Sequence, residues 1–428
     1  MAAKIHVERM MHRSSIAVSG ESAAAYALVK LIPSGLGQVS KPMGLNLALA
    51  LDMSGSMYDE DGTNIPRLKR VQDAAIAAVQ KLKPEDTITV VGFAGNALVV
   101  LPPTKLAEKD KIESAIRNIE MCEIDPNGTT MNVGMRLAIE EVEKLAGPGR
   151  LSQIIVLTDG ETDGVQECRE LALRAAKNKI HLTMIGIGID WRASLLKELA
   201  KVSEGKWLYI DGNNAAEAER VFVEEFEQLS ATAFMNVEMH LRPMKDIKIK
   251  RVRQVVPEIK EMTTTEPEER HLVAAIGTLQ KDQSARFVLD MSLPKRPDGK
   301  YVIAQMEITY DLGLGTRETT GPIPLEMTYT AAQQGYANAE VMKHIDEVQI
   351  FELNNNLQKA IQSDNKEEVQ KVAQQIEQKG QLMGPRAAKK TMLARQVLQE
   401  LNAGGRVSKK TQLAMEDSAR MAEEMPAS

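Results

Sequence analysis

The sequence predicts an α/β chain: a doubly wound, largely parallel sheet, joined to an antiparallel β region and followed by a helical C-terminal region. Three observations carry this reading. Residues 45–231 alternate short apolar runs with amphipathic stretches of helical length, residues 235–330 switch to a period of two, and the last hundred residues return to helical spacing alone.

In the first of these stretches the apolar runs are Leu45 to Leu51, Ile88 to Phe93, Ala97 to Leu101, Ile154 to Leu157, Leu182 to Ile187 and Trp207 to Ile210. Continuous apolar runs suit strands buried on both faces. Only a short turn containing Gly95-Asn96 separates Ala97 from Phe93, which predicts an antiparallel edge strand there. Helices are expected over Leu68 to Lys83, Lys109 to Ile119, Asn132 to Leu145, Gln166 to Lys177, Ala193 to Val202 and Ala215 to Leu229. Pro84 and Gly147-Pro148-Gly149 serve as stops.

Beyond residue 235, Val237, Met239 and Leu241 alternate with their neighbours. So do Ala285, Phe287, Leu289 and Met291, and then Val302, Ala304, Met306, Ile308 and Tyr310, with the turn Arg296-Pro297-Asp298-Gly299 between the last two runs. Ile5 and Val7, then Tyr26 to Ile32, have the same character. One β-sandwich from residues 1–38 and 235–330, interrupted by the α/β part at 40–231, is therefore expected. The alternative is an N-terminal strand that merely extends the α/β sheet. Residues 331–428 form a helical region, with Val341 to Ile361, Val369 to Ile376 and Met392 to Leu401 at helical spacing and Arg406 to Ala422 as a fourth helix or a tail. The pattern leaves open whether these helices pack as a bundle or present an interaction surface.

Composition narrows the function. The 428 residues carry a formal net charge of -6, with both signs spread along the chain, so a basic nucleic-acid footprint is absent. Two cysteines, Cys122 and Cys168, are too few for a disulfide framework and fit a reducing compartment. No apolar run reaches the length of a membrane span and residues 1–20 lack the apolar core of a secretory signal, so a soluble, cytoplasmic protein is expected. The six histidines show no HExxH spacing and read as solvated or capping residues without a mutual cluster. Neither a GxxxxGK[ST] loop nor a G-x-S-x-G elbow occurs, and Gly186, Gly188 and Asp190 make a poor phosphate turn.

The chemistry lies in Asp52-Met53-Ser54-Gly55-Ser56, directly after the run ending at Leu51. Oxygens at alternate positions of a tight turn converge on one hard cation, but Ser54 and Ser56 are neutral, so further oxygens are needed. Asn127-Gly128-Thr129-Thr130 offers a hydroxyl, and Thr158-Asp159-Gly160 places a second carboxylate at another strand end. Alone, Asp52 reads as a turn or capping carboxylate and Thr129 as an N-cap. Asp125 and Asp163 read as loop or cap residues.

In this pattern the chain resembles the von Willebrand factor A family. DxSxS, a loop Thr and an Asp after a late strand are that family's metal-ion-dependent adhesion site, and all five positions match over a resemblance spanning about residues 40–231. The resemblance implies a Rossmann-like sheet, Ser54, Ser56 and Thr129 as direct ligands, and Asp52 and Asp159 acting partly through water. It implies Mg2+, with Mn2+ or Ca2+ as substitutes, and an Asp or Glu of a partner protein in the last coordination position. The expected protein is a non-enzymatic adhesion or scaffold module of the bacterial intracellular kind. The alternative is an accessory subunit of an AAA-type ATPase of the chelatase kind; a metal-dependent hydrolase lacks a general base. In integrin-like members the last helix slides with metal ligation, so a switch through Ala215 to Leu229 is a further expectation.

Overall fold

A computed structural model describes residues 4–420 except 18–21, 36–43, 61–63, 148, 161, 189–192, 211–214, 282, 313–316, 332–334 and 405. The expected boundary near residues 38–40, Asp190 and the tail from 421 onward lie outside the described residues.

Three strands come first: β1 (Lys4–Met11), β2 (Ser15–Ala17) and β3 (Ala23–Ser34). A six-stranded sheet follows, built from β4 (Gly44–Asp52), β5 (Thr87–Phe93), β6 (Ala97–Lys105), β7 (Arg150–Thr158), β8 (Ile180–Ile187) and β9 (Lys206–Ile210). Its order is β6-β5-β4-β7-β8-β9, and only β6 is antiparallel to its neighbour. Every residue of β5 and β8 is buried, because helices cover both faces. On one face α1 (Arg67–Val79), α2 (Lys109–Arg117) and α6 (Ala215–Ser230) pack on Leu47, Leu49, Leu51, Ile88 and Val90. On the other, α3 (Met131–Glu143), α4 (Val165–Lys177) and α5 (Ala193–Val202) pack on Ala48, Ala50, Val91 and Val156. From β4 the chain steps to β5 on one side and later to β7 on the other. The carboxyl end of β4 is thus the switch point of the sheet, where ligands gather in folds of this kind.

Period-two residues form the second body. Its strands are β10 (Thr232–Pro243), β11 (Lys248–Val256), β12 (Lys260–Glu261), β13 (Thr264–Glu268), β14 (His271–Gln280), β15 (Ala285–Leu293), β16 (Gly299–Asp311), β17 (Arg317–Thr319) and β18 (Ile323–Thr330). They join β1 to β3 in two sheets, β1-β3-β15-β11-β12 and β13-β14-β10-β16-β18-β2 with β17 on β16. Both sheets contribute to one apolar cluster that includes Val29 and Leu31 of β3, Phe287 and Leu289 of β15, and Met239 and Leu241 of β10. β3 pairs with β1 and β15, not with the six-stranded sheet. Two details depart from the sequence reading. The alternation puts Val302 on the buried face, yet a bulge between Val302 and Ala304 shifts the phase and buries Ile303 instead. The pairing is not wholly antiparallel either, since β2 runs parallel to β18.

The described residues end in α7 (Ala339–Gln362), α8 (Lys366–Met383), α9 (Ala388–Gly404) and α10 (Lys409–Arg420). Asn338 and Asn365 cap α7 and α8 through their side-chain oxygens. The four helices share Leu357, Ile376, Val397 and Met415, so they pack as a bundle. Val341, Ile345 and Val348 of α7 pack on Leu28, Val255 and Val288 of the sheet, and Leu413 of α10 enters the core beneath α3 to α5. Among the described residues no helix is long and apolar enough to cross a membrane.

The histidines are not simply solvated or capping residues. His12, His181 and His344 are buried, and His181 Nδ1 lies 3.1 Å from the Ser203 carbonyl. His240 and His271, 31 positions apart, come together because β10 and β14 pair: their ring nitrogens are 3.0 Å apart.

Candidate metal centre

Asp52 is the last residue of β4 and is fully buried. One oxygen, Oδ1, accepts from the Ser54 backbone N–H at 2.9 Å, closing the turn on its own side chain. The other, Oδ2, accepts from the Thr158 hydroxyl at 2.6 Å, which ties the ends of β4 and β7 together. Burial pushes the Asp52 carboxyl up to about 6, against the lowering effect of the hydrogen bonds from Thr158 and Ser54. A cation beside it favours the charged form.

Ser54 and Ser56 follow on a short 3-10 turn, their hydroxyl oxygens 3.3 Å apart. That spacing is close to the edge of an octahedron drawn with cation to oxygen bonds of about 2.1–2.4 Å. The Ser56 hydroxyl donates to Asp159 Oδ1 at 2.8 Å, and Asp159 Oδ2 accepts from Arg67 Nη1 at 2.6 Å. Burial raises the Asp159 carboxyl as well, opposed by Arg67 and Ser56. The loop carrying Thr129 is pinned from two sides. Thr162 Oγ1 donates to the Thr129 carbonyl at 2.8 Å, while Gly55 N–H donates to the Pro126 carbonyl at 3.0 Å. The Thr129 hydroxyl stands 3.8 Å from where a Cβ on Gly160 would sit, beside Asp159.

All five predicted residues therefore gather at the switch point of the sheet. Their donor set is two carboxylates and three hydroxyls, all oxygen, which fits a hard divalent cation such as Mg2+. Among the described residues no group of three or more His, Cys, Asp or Glu side chains assembles. The sequence reading missed Thr158, whose hydroxyl orients Asp52, and Arg67, whose side chain is 10% exposed and pairs with a fully buried Asp159. Arg67 had no local signal: it is 92 positions from Asp159 and looks like an ordinary charged residue at a helix start.

Around the centre the loops 53–60, 94–96, 118–130 and 159–164 carry exposed Asp59, Glu60, Glu120, Glu123, Asp125 and Asp163, and their described residues include no Lys or Arg. Asp125 is a turn residue, accepting from the backbone and side chain of Asn127. Tyr58 and Met121 are exposed apolar groups on the same rim, at 43% and 83%. Cys122 and Cys168 are both free thiols, and burial pushes that of Cys168 up to about 12.

Comparison with known proteins agrees with this architecture. Residues 47–161 match the family model of the von Willebrand factor type A domain. An uncharacterized protein of Synechocystis sp. is 29% identical over 308 residues, 70% of this chain and 70% of that protein. YfbK of Escherichia coli is 26% identical over 202 residues, 46% of this chain and 33% of YfbK. Over almost the whole length, the fold is similar to the solved structure described as von Willebrand factor type A from Catenulispora acidiphila. The TM-score is 0.81 at 15% identity, covering 98% of this chain and 97% of that one. Strand order and the switch-point position of the site agree with the match of residues 47–161 to the von Willebrand factor type A domain model.

Proposed function

We propose that this chain is a divalent-metal-dependent protein-interaction module, non-enzymatic, in which Asp52, Ser54, Ser56, Thr129 and Asp159 hold Mg2+ and a partner's Asp or Glu completes the coordination. The observation that carries the reading is the hydrogen-bonded run from Asp52 through Ser54 and Ser56 to Asp159, with the Thr129 hydroxyl beside it. Two carboxylates and three neutral hydroxyls bind a divalent ion without saturating its appetite for anions. Both carboxylates are engaged in orienting this set, which supports the non-enzymatic reading.

The acidic rim bears on the partner. A carboxylate approaching Glu120, Glu123 and Asp125 is repelled unless basic or apolar groups flank it, which match the rim charges and the exposed Tyr58 and Met121. The test is a pull-down from a lysate in Mg2+ and in EDTA, repeated with Asp52→Ala, beside calorimetric titration with Mg2+ and Mn2+. A partner retained in Mg2+ and lost in both other conditions supports the reading. Absence of metal binding by the folded wild-type chain both with and without added acetate overturns it.

A further inference from the structure

We propose that Arg67 sets the charge of the metal centre. With it in place, a divalent ion keeps an unneutralised positive charge and is held firmly only when an external carboxylate joins it. The proposal rests on the metal-centre reading above and adds to it a residue outside the ligand set.

Arg67 is the first residue of α1, and its backbone N–H donates to the Asp59 carbonyl at 3.0 Å, which fixes the helix start against the Ser54 to Tyr58 turn. From there its guanidinium reaches Asp159 Oδ2 at 2.6 Å, on the carboxylate whose other oxygen accepts from Ser56 at 2.8 Å. The Arg67 side chain is 10% exposed and that of Asp159 is 0%, so water screens this pair little. An arginine keeps its proton at any pH the fold survives, which makes the charge permanent.

Asp52, Asp159 and Arg67 together sum to one negative charge, and Ser54, Ser56 and Thr129 add none. A divalent ion then leaves these groups with one net positive charge, whereas without Arg67 the two carboxylates would neutralise it. Two effects follow. The guanidinium repels the ion at a distance of one carboxylate, which weakens binding of metal alone. The residual charge makes an added carboxylate worth more than it would be at a neutral centre, so metal and acid bind cooperatively.

The test is calorimetric titration of the full chain with Mn2+ alone, then in excess acetate against chloride of equal ionic strength. Arg67→Gln and Arg67→Met, which remove the charge, are compared with Arg67→Lys, which keeps it. Wild type is expected to bind Mn2+ more tightly in acetate than in chloride. Both uncharged variants are expected to bind Mn2+ in chloride about tenfold or more tighter than wild type and to lose most of the acetate effect; Arg67→Lys stays near wild type. Uncharged variants that bind no tighter, or a wild type indifferent to acetate, overturn the proposal. The acetate comparison needs no variant, so an indifferent wild type overturns the proposal even if the substitutions unfold the chain. A wild type that binds no Mn2+ in either medium instead overturns the metal-centre reading itself.

Discussion

The guanidinium of Arg420 lies over the indole of Trp207, its central carbon 3.8 Å from the ring centroid, and Nη1 donates to the Trp207 carbonyl at 3.0 Å. One residue of the last helix thereby grips β9 of the metal-bearing domain. It also reaches Glu258, 3.6 Å away, and its own carbonyl accepts from the Ile259 N–H at 2.7 Å. Glu258 and Ile259 sit between β11 and β12 of the second body. Lys197 lies 4.5 Å from the same indole centroid and pairs with Glu416 of α10.

Arg420→Ala should therefore destabilise the whole chain rather than fray one helix. It removes a largely desolvated cation–π contact, a hydrogen bond to a backbone carbonyl and one partner of Glu258. The expected cost is about 2–4 kcal/mol, read as a lower urea midpoint. A midpoint within experimental error of wild type would show that Arg420 contributes nothing to holding α10 against β9 and the second body.

Glu258 gives the stability a defined acid limb. Its side chain is 19% exposed; burial raises its carboxyl, but Lys260, Arg420 and Lys206 outweigh that and hold it at about 2. A depressed carboxyl contributes stability that is complete above its unfolded value near 4.5 and lost as pH falls toward 2. At about 1.4 kcal/mol per unit the ceiling is about 3 kcal/mol, and partial exposure reduces it to about 1–2. Glu258→Gln should lower stability by that amount at pH 7 and by almost nothing at pH 2. A difference that persists unchanged across that window contradicts the pairing.

These two groups mark where sequence reading reaches its end. Strand and helix positions in residues 45–231 were legible because burial on one face or both imposes a period that survives in the residue order. The DxSxS turn was legible because its ligands are two residues apart. Arg420 meeting Trp207 is 213 positions distant, and Arg67 meeting Asp159 is 92; no local pattern records such meetings. Asp86 is similar. It looks like a loop acid, yet it is buried and accepts the backbone N–H groups of Leu45 and Lys83, each at 2.8 Å, anchoring the start of β4. The phase of β16 at Val302 is not legible in the sequence because a bulge inserts one residue without any compositional trace.

Gly95 is where the loop that carries Thr129 depends on a missing side chain. Its N–H donates to the Asp125 carbonyl at 2.8 Å, and a Cβ there would lie 2.4 Å from the Asn127 carbonyl oxygen and 3.1 Å from that of Asp125. Both are backbone atoms, so relief requires the 125–128 loop to move. Gly95→Ala is expected to cost about 1–3 kcal/mol of stability and to weaken Mn2+ binding about tenfold or more, since Thr129 moves with the loop. Gly147, whose Cβ would meet nothing within 4 Å, supplies the control substitution. Equal Mn2+ affinity in Gly95→Ala and Gly147→Ala would remove the Thr129 loop from the metal centre.

Among the described residues α6 leads directly from the metal-bearing domain into the second body, because it ends at Ser230 and β10 begins at Thr232. The helix is fastened along its length. Phe222 and Phe226 are fully buried, the Ser230 carbonyl accepts from Lys83 Nζ at 3.1 Å, and the Lys281 N–H donates to the Ala231 carbonyl at 2.7 Å. The decisive group is Glu225, a 3% exposed residue whose oxygens accept from Thr183 Oγ1 at 2.8 Å and Lys206 Nζ at 3.1 Å. A slide of one helical turn, about 5.4 Å, would strip both partners from a buried carboxylate. Any metal-linked shift must overcome that cost, so Glu225→Gln, which weakens the hold on Lys206, should make the junction more responsive. Limited proteolysis of residues 228–236 in Mg2+ and in EDTA, with and without a captured partner, reads this out. Metal-dependent protection in wild type, enlarged in Glu225→Gln, is the expected pattern. Identical digestion of both proteins in all conditions would mean that α6 holds one position and that metal binding stays local to the β4 end of the sheet.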